Sequence, residues 1–439
     1  MARRVVLLSV PALRACDLEN MPNLRAAMAR GQQATLVPSF PCVTWPVQVN
    51  MVTGVLPDRH GVVANGLYWR DEHRVEMWTA RNDKILAPQI WDRLHQKSPD
   101  LKSAVWFPML SKGCGADYIC MPAPVHNPDG SESLWCYTRP TELYGELRDA
   151  FGHFPLHNFW GPLASLASSQ WIAESAAWAA KRWQPDFFYI YLPHLDYAAQ
   201  RTGPDSAPAQ TAVAELDELL GKLTGQLREA LGDNVLLLVA TEYVITPVNH
   251  VLFPNRLLRE SGLLEVERSD AGDLIDFRAS SAWALADHQM SHIFVRDRDP
   301  RLIARVAGVF SGQPGVSEVL TGEDRRRYAM AHERSGDVIA ISTPESWQAY
   351  YWWLSDDSAP SFARTVDIHR KPGYDPVELH VDRATRSIPL DASLVRGSHG
   401  LHATELSRQG VLLASESGVL RSSSLSDTGV FDLVLGQFT

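Results

Sequence analysis

Residues 187–200 read FFYIYLPHLDYAAQ. Six apolar or aromatic residues stand in a row with no polar alternation. That pattern fits a strand covered on both faces rather than one with a wet side. Pro193 ends the run, and His194, Asp196 and Gln200 follow it at once. Similar runs occur at 5–10 (VVLLSV), 104–107 (AVWF) and 235–240 (VLLLVA), separated by helical periodicity at Pro22–Arg30, Ser169–Trp183 and Thr211–Leu231. Such alternation predicts a doubly wound, mainly parallel α/β sheet with helices on both faces. Ligands of such sheets bind beyond the carboxyl ends of the strands. Chemistry is therefore expected at Ser9–Ala12, His194–Gln200 and Thr241–Tyr243. The core is expected to run over 1–252 and 345–439. A smaller α+β insertion at 253–344 would hold strands near Ile293–Val295 and Asp337–Ile341 and a helix near Pro300–Phe310. Ser355–Pro389, rich in Asp, Arg and Pro, reads as a functional loop returning to the main site. The aromatic run Tyr350–Trp353 either lines a pocket or packs a core.

The chain has 439 residues, 45% hydrophobic and 21% charged, ordinary proportions for a globular protein. A net charge of −10 argues against nucleic acid or an anionic membrane as the main partner. Five cysteines without a CxxC pair read as free thiols in a reducing compartment. The start, MARRVVLLSVPALRACDLE, has a short apolar run broken by Pro11 and followed by charges, so it reads as a first strand rather than a signal peptide. With no run long enough to span a bilayer, the expected location is cytoplasmic. Oligomeric state is not legible.

Residues 39–66 read SFPCVTWPVQVNMVTGVLPDRHGVVANG. Pro41 discourages helix before Thr44 and Pro46 suits a helix's first turn just after it. Thr44 is thus an N-cap or first-turn residue, where free N–H groups and the helix dipole favour an anion such as phosphate. It is either a cap or a hydroxyl nucleophile. Cys42 is a rival nucleophile or a small buried hydrophobe.

The segments MPNLRAAMARG (21–31), PSFPCVTWP (38–46) and TGVLPDRHGVVANGLY (53–68) together resemble the opening of the nucleotide pyrophosphatase/phosphodiesterase branch of the alkaline phosphatase superfamily. The resemblance implies that Thr44, in an FPxxTxP motif, is the nucleophile. It implies that Asn65, in an HGxxxN motif, helps hold a phosphoryl oxygen. It also implies two zinc ions held by Asp and His residues after several strands, and there the chain departs from the family. Pro11–Ala12 replaces an Asp–Gly pair. HLDYAAQ keeps Asp196 but has Gln200 for a His. Thr241–Glu242–Tyr243 replaces Asp-His-Gly, so Glu242 can ligate while Tyr243 would do so only as a phenolate. GSHG keeps His399. Two further clusters, Ala286–Asp287–His288–Gln289 with His292, and Asp367/His369 followed by Arg370 and Lys371, look like additional donors. HLDY, TEY, DHQ and DIHRKPGYDP together resemble a bacterial subgroup with a rebuilt site.

The expectation is a metal-dependent hydrolase of phosphodiester or pyrophosphate bonds in a small phosphorylated molecule. Asp196, Glu242, His399, Asp367, His369 and His288 would hold one or two divalent ions, zinc by resemblance, with manganese or magnesium also compatible with the donors. Arg370 and Lys371 would contact the substrate phosphate, and His194 would orient Asp196. Two alternatives stand beside it. One is a single-metal hydrolase or transferase acting on a biosynthetic intermediate. The other is a non-catalytic binding protein.

Overall fold

The computed structural model describes residues 3–126 and 132–438. Nine strands form the central sheet, in the order Ser424–Ser426, Gln32–Val37, Gly410–Ala414, Leu236–Ala240, Val5–Ser9, Phe187–Tyr191, Ser103–Trp106, Tyr118–Pro122 and Cys136–Arg139. The five from Leu236–Ala240 to Tyr118–Pro122 are mutually parallel, and antiparallel pairings enter only toward the edges. The expected doubly wound sheet is present.

The apolar runs alternate sides as the strand period requires. Val6, Leu8, Phe188, Ile190, Leu237 and Val239 face one core, with the helices Pro22–Ala27, Leu166–Trp183 and Ala207–Leu231 over it. Val5, Leu7, Phe187, Tyr189, Leu236 and Leu238 face the other, under Thr44–Thr53, Ile90–Lys97 and Gly429–Leu435. Each such side chain, removed from water, contributes about 1.5–3 kcal/mol, which is why none of these strand positions is polar. Asp217, buried in the long helix, accepts from the backbone N–H of Asn23 and Leu24 and from the Asn23 side chain, fixing the short helix beside it.

A second sheet of four antiparallel strands runs Ala282–Asp287, Met290–Val295, Val338–Ser342, Val316–Thr321, flanked by the helices Pro254–Glu260 and Pro300–Phe310. Tyr350–Trp353 lie fully buried in this second core, so their role is packing. The hairpin between its first two strands turns at His288, held at φ 60. That tight turn points toward the carboxyl ends of the main sheet. The 355–389 segment returns there too, bridging Gly373 to Ala286, with Tyr374 N–H donating to the Ala286 carbonyl at 2.9 Å. A Cβ on Gly373, at φ 158, would sit 2.7 Å from Tyr350 Cβ and 2.9 Å from the Ala286 oxygen. Glycine is required there for this close approach. Among the described residues no helix is long and apolar enough to cross a membrane.

Gly373→Ala is expected to cost about 1–3 kcal/mol in strain and to undock the Tyr374 segment. Urea unfolding measures the first and fluorescence of the neighbouring tryptophans the second. An unchanged midpoint would contradict the docking described.

Candidate active site

Thr44 opens the helix Thr44–Thr53 as its first residue, but Val43 is the cap and no side chain caps the helix. The Thr44 hydroxyl does something else: Oγ1 lies 3.2 Å from the Tyr243 phenol oxygen. Tyr243 in turn donates to Asp196 Oδ1 at 3.1 Å. Asp196 Oδ2 accepts from Gln200 Nε2 at 2.7 Å, one turn along the helix His194–Thr202. Gln200 Oε1 accepts from Tyr374 OH at 2.8 Å.

The same tyrosines close the circle through their rings. Tyr374 stacks on His288 with centroids 3.7 Å apart, His288 lies 3.8 Å from His399, and His399 stacks on Tyr243 at 3.5 Å and 4°. Six side chains thus form one closed ring, with a column of four aromatic rings on one side and a carboxylate–amide bridge on the other. All six are buried.

The ring is tied to the Thr44 segment at two further points. His399 Nδ1 bonds the Cys42 carbonyl at 2.7 Å. Asp287 Oδ1 holds His288 Nδ1 at 2.6 Å and accepts from Asn65 Nδ2 at 3.0 Å. Asn65 Oδ1 then accepts from the Trp45 N–H at 3.0 Å. This alters the expectation of an anion cradle at the helix start. The Trp45 N–H is spent on Asn65 and Pro46 has none, so the amide of Thr44 is what remains of it.

Glu242 sits at the end of Leu236–Ala240, with Oε1 accepting from Ser9 Oγ at 2.6 Å and Gln48 Nε2 at 2.8 Å. Burial pushes its carboxyl up to about 8, so at neutral pH it is mostly protonated. Burial raises Asp196 to about 6, against the pull of His288. Burial also drives the Tyr243 and Tyr374 phenols well above the usual tyrosine range and His399 well below the usual histidine range. Near neutrality the phenols and His399 are neutral and Asp196 carries charge.

These donors do not fit the expected cations. Both Asp196 oxygens accept hydrogen bonds, Glu242 Oε1 accepts two, and Tyr243 is a phenol that donates to Asp196. Among the described residues, Glu242 Oε2 and His399 Nε2 are the partnerless buried acceptors of the expected ligand set, short of the four donors zinc takes. Among the described residues no three His, Cys, Asp or Glu side chains converge as a cation site.

The other expected ligands are engaged elsewhere. Asp367 pairs with Arg370 at 2.5 Å and His369 Nδ1 meets the Met77 carbonyl at 3.1 Å. His292 bridges the Gly336 N–H and the Val63 carbonyl, a structural role. Lys371 is no phosphate contact: it is buried, paired with Asp375 at 2.8 Å and Glu378 at 2.6 Å. Arg370 is exposed, over the Phe362 ring. His194 pairs with Glu215 at 2.8 Å rather than orienting Asp196. The Cys42 thiol is buried and pushed up by burial, so it is no ready thiolate. Sequence reasoning missed Tyr374 and Gln48. The Gly-Tyr-Asp punctuation of the returning loop was the one local sign of the first.

Residues 5–375 match the family model for type I phosphodiesterase/nucleotide pyrophosphatase. The chain belongs to this family. Its members generally depend on divalent metal and act on small phosphorylated substrates such as nucleotides. It is 24% identical over 291 residues to an uncharacterised pyrophosphatase/phosphodiesterase of Schizosaccharomyces pombe, covering 63% of this chain and 52% of that protein. It is 24% identical over 249 residues to a bis(5′-adenosyl)-triphosphatase of Xenopus laevis, covering 55% and 46%. The matches thus span about half the length of these relatives. Phosphonoacetate hydrolase of Sinorhizobium meliloti 1021, in complex with phosphonoformate, shares the fold at TM-score 0.63 and 16% identity, over 99% of this chain and 96% of that one. Murine ectonucleotide pyrophosphatase/phosphodiesterase 5, as an inactive variant with AMP, does so at 0.62 and 15%, over 99% and 95%.

Two predictions follow from the supporting histidines and Asn65. His60 accepts the Val62 N–H at Nδ1 and bonds Asn50 at 2.8 Å, and burial lowers it to about 3; His292 is lowered to about 4. Both are neutral when folded and protonate near 6.5 when unfolded. Their stabilisation is full above about 6.5 and is lost as pH falls toward those folded values. Asp196 and Glu242, raised by burial, act in the opposite sense over the same range, so the histidine contribution is read as a difference: between about pH 6 and 4 the melting temperature should fall less in His60→Gln than in the unaltered protein. Equal acid sensitivity of the two proteins would contradict this. Asn65→Ala strands the Trp45 N–H and removes one of the two donors to Asp287 Oδ1, so denaturant titration should show a loss of about 1–3 kcal/mol.

Proposed function

We propose that this chain hydrolyses a phosphoester or phosphoanhydride bond in a small molecule, with Thr44 as the nucleophile. The observation that carries the reading is the hydroxyl of Thr44. It heads a helix at the carboxyl end of the sheet, leaves the capping role to Val43, and is hydrogen-bonded to a tyrosine that itself bonds a carboxylate.

In this reading Thr44 Oγ1 attacks phosphorus in line. The Thr44 N–H, at the positive end of the helix, favours the charge that develops on the non-bridging oxygens. Asn65, held between Asp287 and the Trp45 N–H, positions the strand of chain facing them. The divalent ions on which the family depends would supply charge neutralisation, but the donors here do not fit them and no step is assigned to a metal. The relative named bis(5′-adenosyl)-triphosphatase, and the AMP and phosphonate complexes of the similar folds, support nucleotide phosphoanhydrides and phosphonates as the first substrates to try.

One observation favours a second reading, a binding protein that has kept the fold. Thr44 is only 5% exposed, and its surroundings are filled by the ring of six. Turnover of bis-p-nitrophenyl phosphate separates the two. The hydrolase reading expects release of p-nitrophenolate that drops by on the order of 10³-fold or more in Thr44→Ala, with melting temperature preserved. Equal rates in both proteins would remove Thr44 from the mechanism.

A further inference from the structure

We propose that Tyr243 carries the Thr44 proton to Asp196, so that a side-chain relay performs the activation for which the family uses bound cations. The inference rests on Thr44 being the nucleophile.

The direction of the relay is set by hydrogen-bond accounting. A phenol has one proton. Tyr243 gives its proton to Asp196 Oδ1, so its oxygen meets Thr44 as an acceptor and the Thr44 hydroxyl is the donor. Asp196 cannot turn away from this task. Gln200 holds its other oxygen at 2.7 Å, and Tyr374 holds the amide of Gln200 in the required orientation by donating to Oε1. The Tyr243 ring cannot turn either, because it lies flat on His399, whose Nδ1 is fixed to the Cys42 carbonyl two residues before the nucleophile. Carrier and acceptor are thus each held by a partner that plays no part in the transfer. A merely packed tyrosine would need none of these constraints.

The step balances without a metal or an oxidant. As Thr44 Oγ1 bonds phosphorus, the bond from phosphorus to the leaving oxygen breaks and its electron pair departs with that oxygen. The Thr44 proton moves to the Tyr243 oxygen while the Tyr243 proton moves to Asp196. Tyr243 ends as the phenol it began, Asp196 as a carboxylic acid, and Thr44 as a phosphothreonine. Water then adds its hydroxyl to phosphorus and gives its second proton to solvent, and Thr44 leaves, recovering its proton from Asp196 through Tyr243. Tyr243 touches the reacting oxygen and is catalytic. Asp196 acts through it, and Gln200, Tyr374 and His399 are positioning residues.

The test is the pre-steady-state burst of p-nitrophenolate from bis-p-nitrophenyl phosphate, with the Thr44 adduct trapped by acid quench and read by mass spectrometry. It is run with chelator and again with added zinc. The unaltered chain is expected to form the adduct in chelator, with a solvent deuterium effect on the burst. Tyr243→Phe, which keeps the ring on His399, should slow the burst by about 10²–10⁴-fold and abolish the deuterium effect. Asp196→Asn, of the same shape but a far weaker base, should do the same and serves if the phenylalanine variant does not fold. An adduct formed at unaltered rate in both variants overturns the relay and leaves Thr44 as nucleophile. An adduct that forms only with zinc, with Tyr243→Phe as fast as the unaltered chain, also overturns it. No adduct on Thr44 under either condition, whatever the turnover, overturns the nucleophile reading itself and the relay with it.

Discussion

A single carboxylate organises the centre of this protein. Asp196 is buried, carries charge near neutrality, and has each oxygen held by one donor, Tyr243 on one side and Gln200 on the other. Burying a charge is tolerable only when it is well hydrogen-bonded, so those two donors cannot be lost independently of the fold around them. Tyr243 brings Thr44 and His399 with it, and Gln200 brings Tyr374. Through the stacking of Tyr374 on His288, the second sheet becomes part of the same structure. A site built on ionic ligands would tolerate open coordination positions filled by water. This one is closed by aromatic faces and neutral hydrogen bonds, which suits its depth in the molecule.

The second sheet does more than cap the first. Its tight hairpin delivers Asp287 and His288 from outside the main fold, and a positive φ at His288 is part of how the ring reaches its place. Strain of this kind persists only where the surroundings over-determine it. Here the surroundings are Gly400, whose absent side chain leaves 3.5 Å between a would-be Cβ and His288 Cβ, and the Asp287–Asn65 pair, which links the hairpin to the nucleophile helix. The glycines of GSHG and KPGYD thus carry conformational meaning: Gly400 holds φ 120, which residues with a side chain rarely adopt, and a Cβ on Gly373 would meet Tyr350 Cβ at 2.7 Å.

Much of this was legible beforehand in particular residues. The runs at 5–10, 187–192 and 235–240 had the composition of doubly buried strands, and they are the heart of the sheet. Thr44, Asp196, Tyr243 and His399 were each noticed from where they fall after a strand or within a motif. Their relation was not legible. Lys371 looked like a phosphate contact until its two carboxylate partners appeared, and Asp367 and His369 looked like an alternating ligand pair until each met a different neighbour.

The sequence by itself determined the strand–helix order, the sheet class, the position of a hydroxyl at a helix start, and the substitution of an amide and a phenol for imidazoles. The first three follow from periodicity and proline placement, which are local; the last follows from the resemblance to the family. Only the tertiary structure decided that the substituted groups are satisfied by one another. The reason is physical. Tyr243 and Asp196 stand 47 residues apart, Tyr374 and Gln200 174 apart, and His399 and Cys42 357 apart. Whether a buried polar group ends as a ligand, a base or a hydrogen-bond partner depends on which distant atom fills its remaining valence, and no local pattern encodes that.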